Sequence, residues 1–204
     1  MKKILSLVAA VMLFSAASMA QASFGVGYMN PTHPGALLSE PTTLNGVYAG
    51  LDYNIHFTEN FGLAPGVFCS YATKTDEYPG SLASGKLTLT ELYVGVPLNL
   101  NFSFKLAPDF ALTLYAGPTI SYGVMSKSKG DVKVLGIGGS TEGDLYKNTN
   151  YKPLDVLVGG GVAFDWAEMF RVSVGYNYGI LDRNASDHHS FNRSYLHMGV
   201  AYLF

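Results

Sequence analysis

The sequence predicts an all-β chain closing into an eight-stranded, antiparallel, up-and-down transmembrane β-barrel. Three observations carry this. Eight segments alternate apolar with small or polar side chains, all but the first over about ten residues or more, the length of a tilted bilayer-crossing strand. Short and long connections alternate between them. Charged residues make up 14% of the 204, against about 25% in soluble domains, while aromatics reach 13%. Beyond the N-terminus no run approaches the ~18 apolar residues of a membrane helix.

Residues 1–22 read as an export leader. Lys2-Lys3 is its charged start, Ile4 to Ala17 its apolar core, and Ala20-Gln21-Ala22 a small-x-small cut site. A cut after Ala22 leaves 23–204 as the barrel domain; a cut after Ala20, at Ser18-Met19-Ala20, also fits. The single cysteine, Cys69, is far from the leader, so it supplies no lipid anchor, and one cysteine forms no intrachain disulfide. Without Lys2 and Lys3, 11 basic side chains face 15 acidic ones, a charge of −4. That balance gives no basic patch for nucleic acid.

The strands follow in order. Phe24 to Asn30 is the first. In the second, Asn45 to Phe57, one face carries Val47, Ala49, Leu51, Tyr53, Ile55 and Phe57. The third, Phe61 to Ala72, sets Leu63, Val67, Cys69 and Tyr71 against Gly62, Ala64, Phe68 and Ser70. The fourth ends near Phe102, with Leu92, Val94, Val96, Leu98 and Leu100 on its apolar side. Phe110 to Val124 is the fifth and Leu154 to Trp166 the sixth. The seventh alternates Phe170, Val172, Val174, Tyr176, Tyr178 and Ile180 with Arg171, Ser173, Gly175, Asn177 and Gly179. In the eighth, Leu196, Met198, Val200, Tyr202 and Phe204 share one face. Pro65, Pro97 and Pro118 fall inside strands and remove ladder donors, so bulges are expected there.

Thr58-Glu59-Asn60, Ser103 to Asp109 and Ala167-Glu168-Met169 are short connections. Pro31 to Leu44, Thr73 to Lys86, Met125 to Pro153 and Leu181 to Arg193 are long. Short turns belong to the periplasmic end and long loops to the outside. Pairing across the short turns sets Phe57 opposite Phe61, Trp166 opposite Phe170 and Phe102 near Phe110, with Phe204 at the same level. These seven form a periplasmic aromatic girdle. Tyr28, Tyr71, Tyr122 and Tyr178 fall near the other end. A lipocalin-like soluble barrel would turn its apolar face inward. Here the other face is Gly, Ala, Ser, Thr, Asn and isolated charges, a poor hydrophobic core but a fit filling for a narrow lumen. Tyr48 near Ser70, Phe68 near Gly50 and Tyr93 near Thr119 would fill it.

The inward face places Asp52, His56, Glu91, Asp155, Asp165, Arg171 and His197 in the lumen, with Asp165 and Arg171 paired across a turn. A polar plug is the first reading, and a gate or narrow ion path the second; eight strands leave little room for a channel. Asp187-His188-His189-Ser190 is the one cluster resembling a catalytic set. A triad requires convergence in space, which adjacent loop residues do not offer, so no catalytic and no metal-ligating residues are assigned. The longest loop, from Lys127 to Lys152, carries Val132, Val134, Leu135 and Ile137 with Gly136, Gly138 and Gly139. It reads as a hairpin above the membrane or as an exposed edge for a partner. Cys69 faces lipid.

Leu92-Tyr-Val-Gly-Val-Pro97-Leu-Asn-Leu100, Leu114-Tyr-Ala-Gly-Pro118, Leu154-Asp155 with Gly159-Gly-Gly161, and Val174-Gly-Tyr-Asn-Tyr-Gly-Ile180 carry a resemblance. With the terminal strand, the stretch from Ser23 to Phe204 resembles the small outer-membrane β-barrel ("porin family") proteins typical of Bacteroidetes. The resemblance implies the outer membrane as location, its lipid as surroundings, and barrel-insertion machinery as an assembly partner that reads Leu196, Met198, Val200, Tyr202 and Phe204. No cofactor is expected, and the charge balance already speaks against nucleic acid. Its motifs are structural and say little about activity. The expected function is a non-enzymatic surface role in membrane structure, adhesion or surface interaction. A narrow pore is the first alternative and a lipid-modifying barrel enzyme the second. Asn192 to His197 lacks the His-x-Ser arrangement expected of lipid A deacylase barrels.

Overall fold

Alternation puts a side chain on each face of a strand every second residue, and here every long strand buries one face and exposes the other. A computed structural model of the protein describes residues 22–34, 41–79, 83–134, 137–148, 151–183 and 191–204. The leader up to residue 21 and the 187–190 cluster lie outside the described residues. The elements are β1 (Ala22–His33), β2 (Thr42–Thr43), β3 (Asn45–Tyr53), β4 (Ile55–His56), β5 (Phe61–Tyr78), β6 (Ala83–Ala107), β7 (Phe110–Val134), β8 (Ile137–Asp144), α1 (Leu145–Asn148), β9 (Leu154–Trp166), β10 (Phe170–Gly179) and β11 (Ser194–Leu203). Among the described residues no helix is long and apolar enough to cross a membrane.

Eight of these strands form the wall. Each pairs antiparallel with the next in the order β1, β3, β5, β6, β7, β9, β10, β11. The ring closes where β11 pairs with β1, from Ser23 opposite Leu203 to Thr32 opposite Ser194. Its outward face carries Val172, 58% exposed, with Val200 and Ile120 at 56% and many others. Such a surface would aggregate in water; around a closed barrel it is the lipid-facing band. Cys69 is exposed on it.

At the end with short turns the aromatics converge. Phe57 and Phe61 lie 5.7 Å apart, Phe110 stacks on Trp166 at 6.4 Å, and Trp166 meets Phe170 at 6.0 Å. Phe102 sits differently from its expected place beside Phe110. β6 runs on to Ala107, so Phe102 pairs with Phe61 and Leu114, and it packs on Phe104 at 4.7 Å. The turn after β9 places Ala167 and Glu168 at φ 53° and 55°, and the Met169 N–H donates to the Trp166 carbonyl at 3.1 Å. Two consecutive left-handed residues make the turn whose twist suits a two-strand hairpin.

The prolines break ladders without shifting register. Pairing lapses between Asp52–Gly66 and Ile55–Leu63, around Pro65. It lapses between Pro65–Leu98 and Phe68–Gly95, beside Pro97, and between Pro97–Thr119 and Leu100–Ala116, beside Pro118. Each proline lacks one donor, and each lapse leaves the pairing beyond it in phase. Bulges were expected there, but the register shifts fall at Leu92/Tyr93 and Lys105/Ala107 instead. Tyr93 lies opposite Gly123, and Thr119 pairs with Pro97, lower on the ladder. Tyr48 does face Ser70, and Phe68 faces Gly50.

Three of the expected long loops are partly strand. β2 pairs with Thr32 and His33, and β5 and β6 continue to Tyr78 and from Ala83. The outward face turns polar above Tyr71, Leu92 and Met125, where Thr73, Thr90 and Lys127 follow in register. Beyond that line β5, β6, β7 and β8 form a four-stranded sheet, with Tyr78, Gly85, Val132 and Gly139 in one rung.

Val174 lies midway along β10 on the lipid face. Val174→Arg is expected to cost about 2–4 kcal/mol in bilayers, read from urea unfolding of the reconstituted barrel.

Candidate functional site

The lumen is layered from the periplasmic turns to the outer loops. At the bottom, the β9–β10 register sets Arg171 opposite Asp165. Arg171 Nε donates to Asp165 Oδ1 at 2.6 Å and Nη2 to Oδ2 at 2.9 Å, a two-pronged charge-assisted contact. Thr113 adds a hydroxyl to Asp165 Oδ2 at 2.9 Å and meets Ser103 at 2.8 Å. Asp52 comes from β3 into the same cavity as Arg171.

The next layer is aromatic. The Tyr115 hydroxyl and His197 Nε2 are 3.1 Å apart, and the rings of Tyr48 and Tyr195 lie 6.1 and 5.8 Å from the imidazole. Glycines make room for these rings: a Cβ at Gly27 would stand 2.7 Å from Tyr48 Cε1, and one at Gly161 2.5 Å from the Tyr115 hydroxyl. Above them Met29, Leu157 and Tyr195 form a buried apolar rung, with Tyr48 and Phe68 packed against it.

The outer end is closed by buried charge. Asp155, fully buried, holds Arg193 Nε at 3.2 Å and Arg183 Nη1 at 3.8 Å. Arg193 also reaches Ser121 Oγ at 3.0 Å and stands 3.8 Å over the Tyr93 ring. Arg183 donates to the Tyr93 hydroxyl at 3.0 Å and twice to the Lys152 carbonyl, at 3.0 and 2.9 Å. Its guanidinium lies 4.2 Å from the centre of the Tyr151 ring. Beside this group Glu91 meets His33 Nε2 at 2.9 Å and accepts from Ser126 at 3.2 Å. His33 stacks on Phe191 at 5.4 Å. Burial pushes the Tyr146 and Tyr151 hydroxyls up in pKa, so both stay neutral, and the Tyr146 hydroxyl accepts from Arg183 Nη2 at 3.3 Å. Two arginines and two carboxylates share this interior, where an unpaired charge is costly.

The two ends differ in access. Arg183 and Asp155 side chains are 0% exposed and Arg193 1%, whereas Arg171 and Asp165 at the periplasmic end are 18% and 14% exposed. The lumen is thus wet below and sealed above by the described residues.

Of the residues expected in the lumen, Asp52, Glu91, Asp155, Asp165, Arg171 and His197 face inward, at different heights. His56 shares their parity, opposite Gly62, but is exposed at the periplasmic rim, with Asn54 Nδ2 3.1 Å from its Nε2. The seal itself was not legible, because Arg183 and Arg193 sit at the two ends of a segment that reads as loop. The available signal was Asp155, an inward acid on a strand whose neighbours offer it no base. Leu196, Met198, Val200, Tyr202 and Phe204 all point to lipid. Among the described residues no group of three or more His, Cys, Asp or Glu side chains is placed to hold a metal.

Beyond the lipid band, the sheet of β5 to β8 shows an outward face of Thr73, Thr75, Thr88, Thr90, Lys127 and Lys129. β7 supplies the one strand partner of β8 among the described residues, so the far edge of β8 carries free backbone donors and acceptors.

The model of a protein family described as the outer membrane protein β-barrel domain matches residues 14–183. No curated protein sequence matches. Similar solved structures include the attachment invasion locus protein Ail of Yersinia pestis, 16% identical over 91% of this chain and 99% of Ail, with a TM-score of 0.43. Neisserial surface protein A is 13% identical over 90% of this chain and 97% of its own, with a TM-score of 0.49. The outer membrane enzyme PagL is 10% identical over 86% and 97%, with a TM-score of 0.47. At these values the likeness says nothing about activity.

Asp155→Asn leaves two buried guanidiniums short of one counter-charge. The expected loss is about 3–5 kcal/mol of stability, measured by urea unfolding in lipid, and a smaller loss for Asp165→Asn in its wetter setting.

Proposed function

The chain belongs to the outer membrane protein β-barrel domain family, and from that premise we propose that it acts at the cell surface by binding a partner, without catalysis and without conduction. The protein is an integral outer-membrane barrel whose loops reach the outside. The supporting observation is the sheet of β5 to β8, which projects past the lipid band and ends in β8, whose far edge has no strand partner among the described residues. Free edges of this kind accept an added strand from another chain. The polar face beside it, rich in Thr and Lys, keeps that edge in water.

The seal of Asp155, Arg183 and Arg193 weighs against a pore, since removing it exposes three charges at once. Expression on the cell surface should raise cell–cell aggregation and adhesion to protein-coated surfaces. Gly138→Pro with Ser140→Pro, which removes N–H donors that face away from β7 in the register pairing Val134 with Ile137, should return both to the level of cells lacking the protein. Heat-modifiable mobility should be unchanged in that variant. Adhesion that expression does not alter overturns this reading. Single-channel conductance in planar bilayers would replace it with a pore, and changed lipid A or phospholipid with a lipid-modifying enzyme.

We further place the leader cut after Ala20 rather than after Ala22. Ala22 pairs with Tyr53, and its carbonyl accepts from the Phe204 N–H at 2.8 Å, a contact that the later cut would remove. The N-terminal sequence of the mature protein should begin at Gln21; one beginning at Ser23 refutes this.

A further inference from the structure

The lower lumen contains a cavity of about 130 Å³ that no contact described above fills. Its wall includes Asp52, Tyr48, Tyr115, Tyr195, His197 and Arg171. Liquid water occupies about 30 Å³ per molecule, so the space equals about four waters.

We propose that this cavity is a binding site, entered from the periplasm, for a small organic cation of four or five non-hydrogen atoms. The carboxylate of Asp52 carries the argument. Among the described residues it makes no hydrogen bond, and no cationic nitrogen lies within 4.0 Å of it. The one cation in the cavity wall, Arg171, is already engaged by both oxygens of Asp165. Two acids and one base therefore leave the lower lumen one negative charge in excess. The carboxylate, partly buried in the cavity wall, feels the charge of Arg171 without touching it, and a bound cation would supply the direct contact it lacks.

The surroundings fit an organic ammonium better than a bare metal ion. Tyr48, Tyr115 and Tyr195 ring the imidazole of His197 and offer aromatic surface to an alkylammonium. No second carboxylate is free to coordinate a metal, because Asp165 is held by Arg171 and Thr113. Access is from below, where Arg171 and Asp165 meet solvent and the outer end is shut. The turns at that mouth expose Glu59, Asp109 and Glu168 against Lys105, a rim that attracts cations.

Propylammonium and its neutral isostere propan-1-ol test this. Each is titrated into the full barrel in micelles at pH 8 while backbone amide shifts are followed by NMR. Propylammonium should shift Tyr48, Asp52, Tyr115 and His197 saturably, with a dissociation constant on the order of 1 mM, as suits so small a ligand. Propan-1-ol should bind at least tenfold more weakly. Asp52→Asn should reduce propylammonium binding at least tenfold while its heat-modifiable mobility is retained. The wild-type comparison stands alone if that variant does not fold. Equal binding of the two probes, preference for propionate, or no saturable shift by 100 mM propylammonium would each overturn the proposal.

Discussion

Backbone hydrogen bonding in lipid governs this molecule. Within the hydrocarbon there is no water to satisfy an N–H or C=O, so a sheet must close on itself. The pairing of β11 with β1 provides that closure, and it runs from the chain's last residues to the outer rim. Once the ring is closed, one face of every strand must meet lipid and the other must fill a narrow lumen. The exposed Val, Leu, Ile and Phe and the buried Ser, Thr, Asn and Gly both follow. The same constraint makes three in-strand prolines notable. Each sits where a lapse in one ladder leaves register unbroken, so the barrel loses a few bonds without losing its inside–outside assignment.

A narrow lumen cannot be packed like a soluble core, because its wall side chains meet across the axis. Tyr48 and Tyr115 reach over glycines on neighbouring strands, so large groups occupy space that small ones vacate. Asp52 apart, the luminal acids on β9 enter beside direct partners. Asp165 has Arg171 directly opposite, and Asp155 has arginines on both sides of the final loop. The apolar rung of Met29, Leu157 and Tyr195 lies between these two charged layers and separates them.

What could be read in advance was whatever depends on period two. Val172, Val174 and Tyr176 declare the lipid face because alternation is local and each residue's side is set by its neighbour's. The Asp165–Arg171 pair was legible for the same reason: both flank one short turn. Phe102 was misplaced because β6 continues as strand through Lys105 and Ala107, where charged and small residues hide the pattern. His56 keeps the inward parity, opposite Gly62, but stands at the periplasmic rim, where alternation alone does not tell a lumen wall from an open mouth. Arg183 and Arg193 were invisible as lumen residues, since loops have no periodicity and their fold-back depends on Asp155, Tyr93 and the Lys152 carbonyl, all distant in sequence. The projecting sheet was read as loop with a possible hairpin, because Thr and Lys on its outward face break the apolar signal without breaking the strand.

The asymmetry of the lumen follows from connection length. Three residues, 167–169, span the turn between β9 and β10 and leave no chain to bend inward, so the periplasmic mouth stays wet. At the outer end, the Arg183 N–H donates to the Phe191 carbonyl and the Gly179 N–H to the Arg193 carbonyl. These bonds hold the base of the last loop over the barrel and bring both arginines onto Asp155. A chain threaded back and forth through a membrane with tight turns on one side can therefore close only its other side. Surface recognition and luminal chemistry are thereby separated: the β8 edge faces outward from the sealed end, and Asp52 faces the periplasm from the open one. A ligand at either place has no direct route to the other through the packed Tyr195 and Leu157 layer.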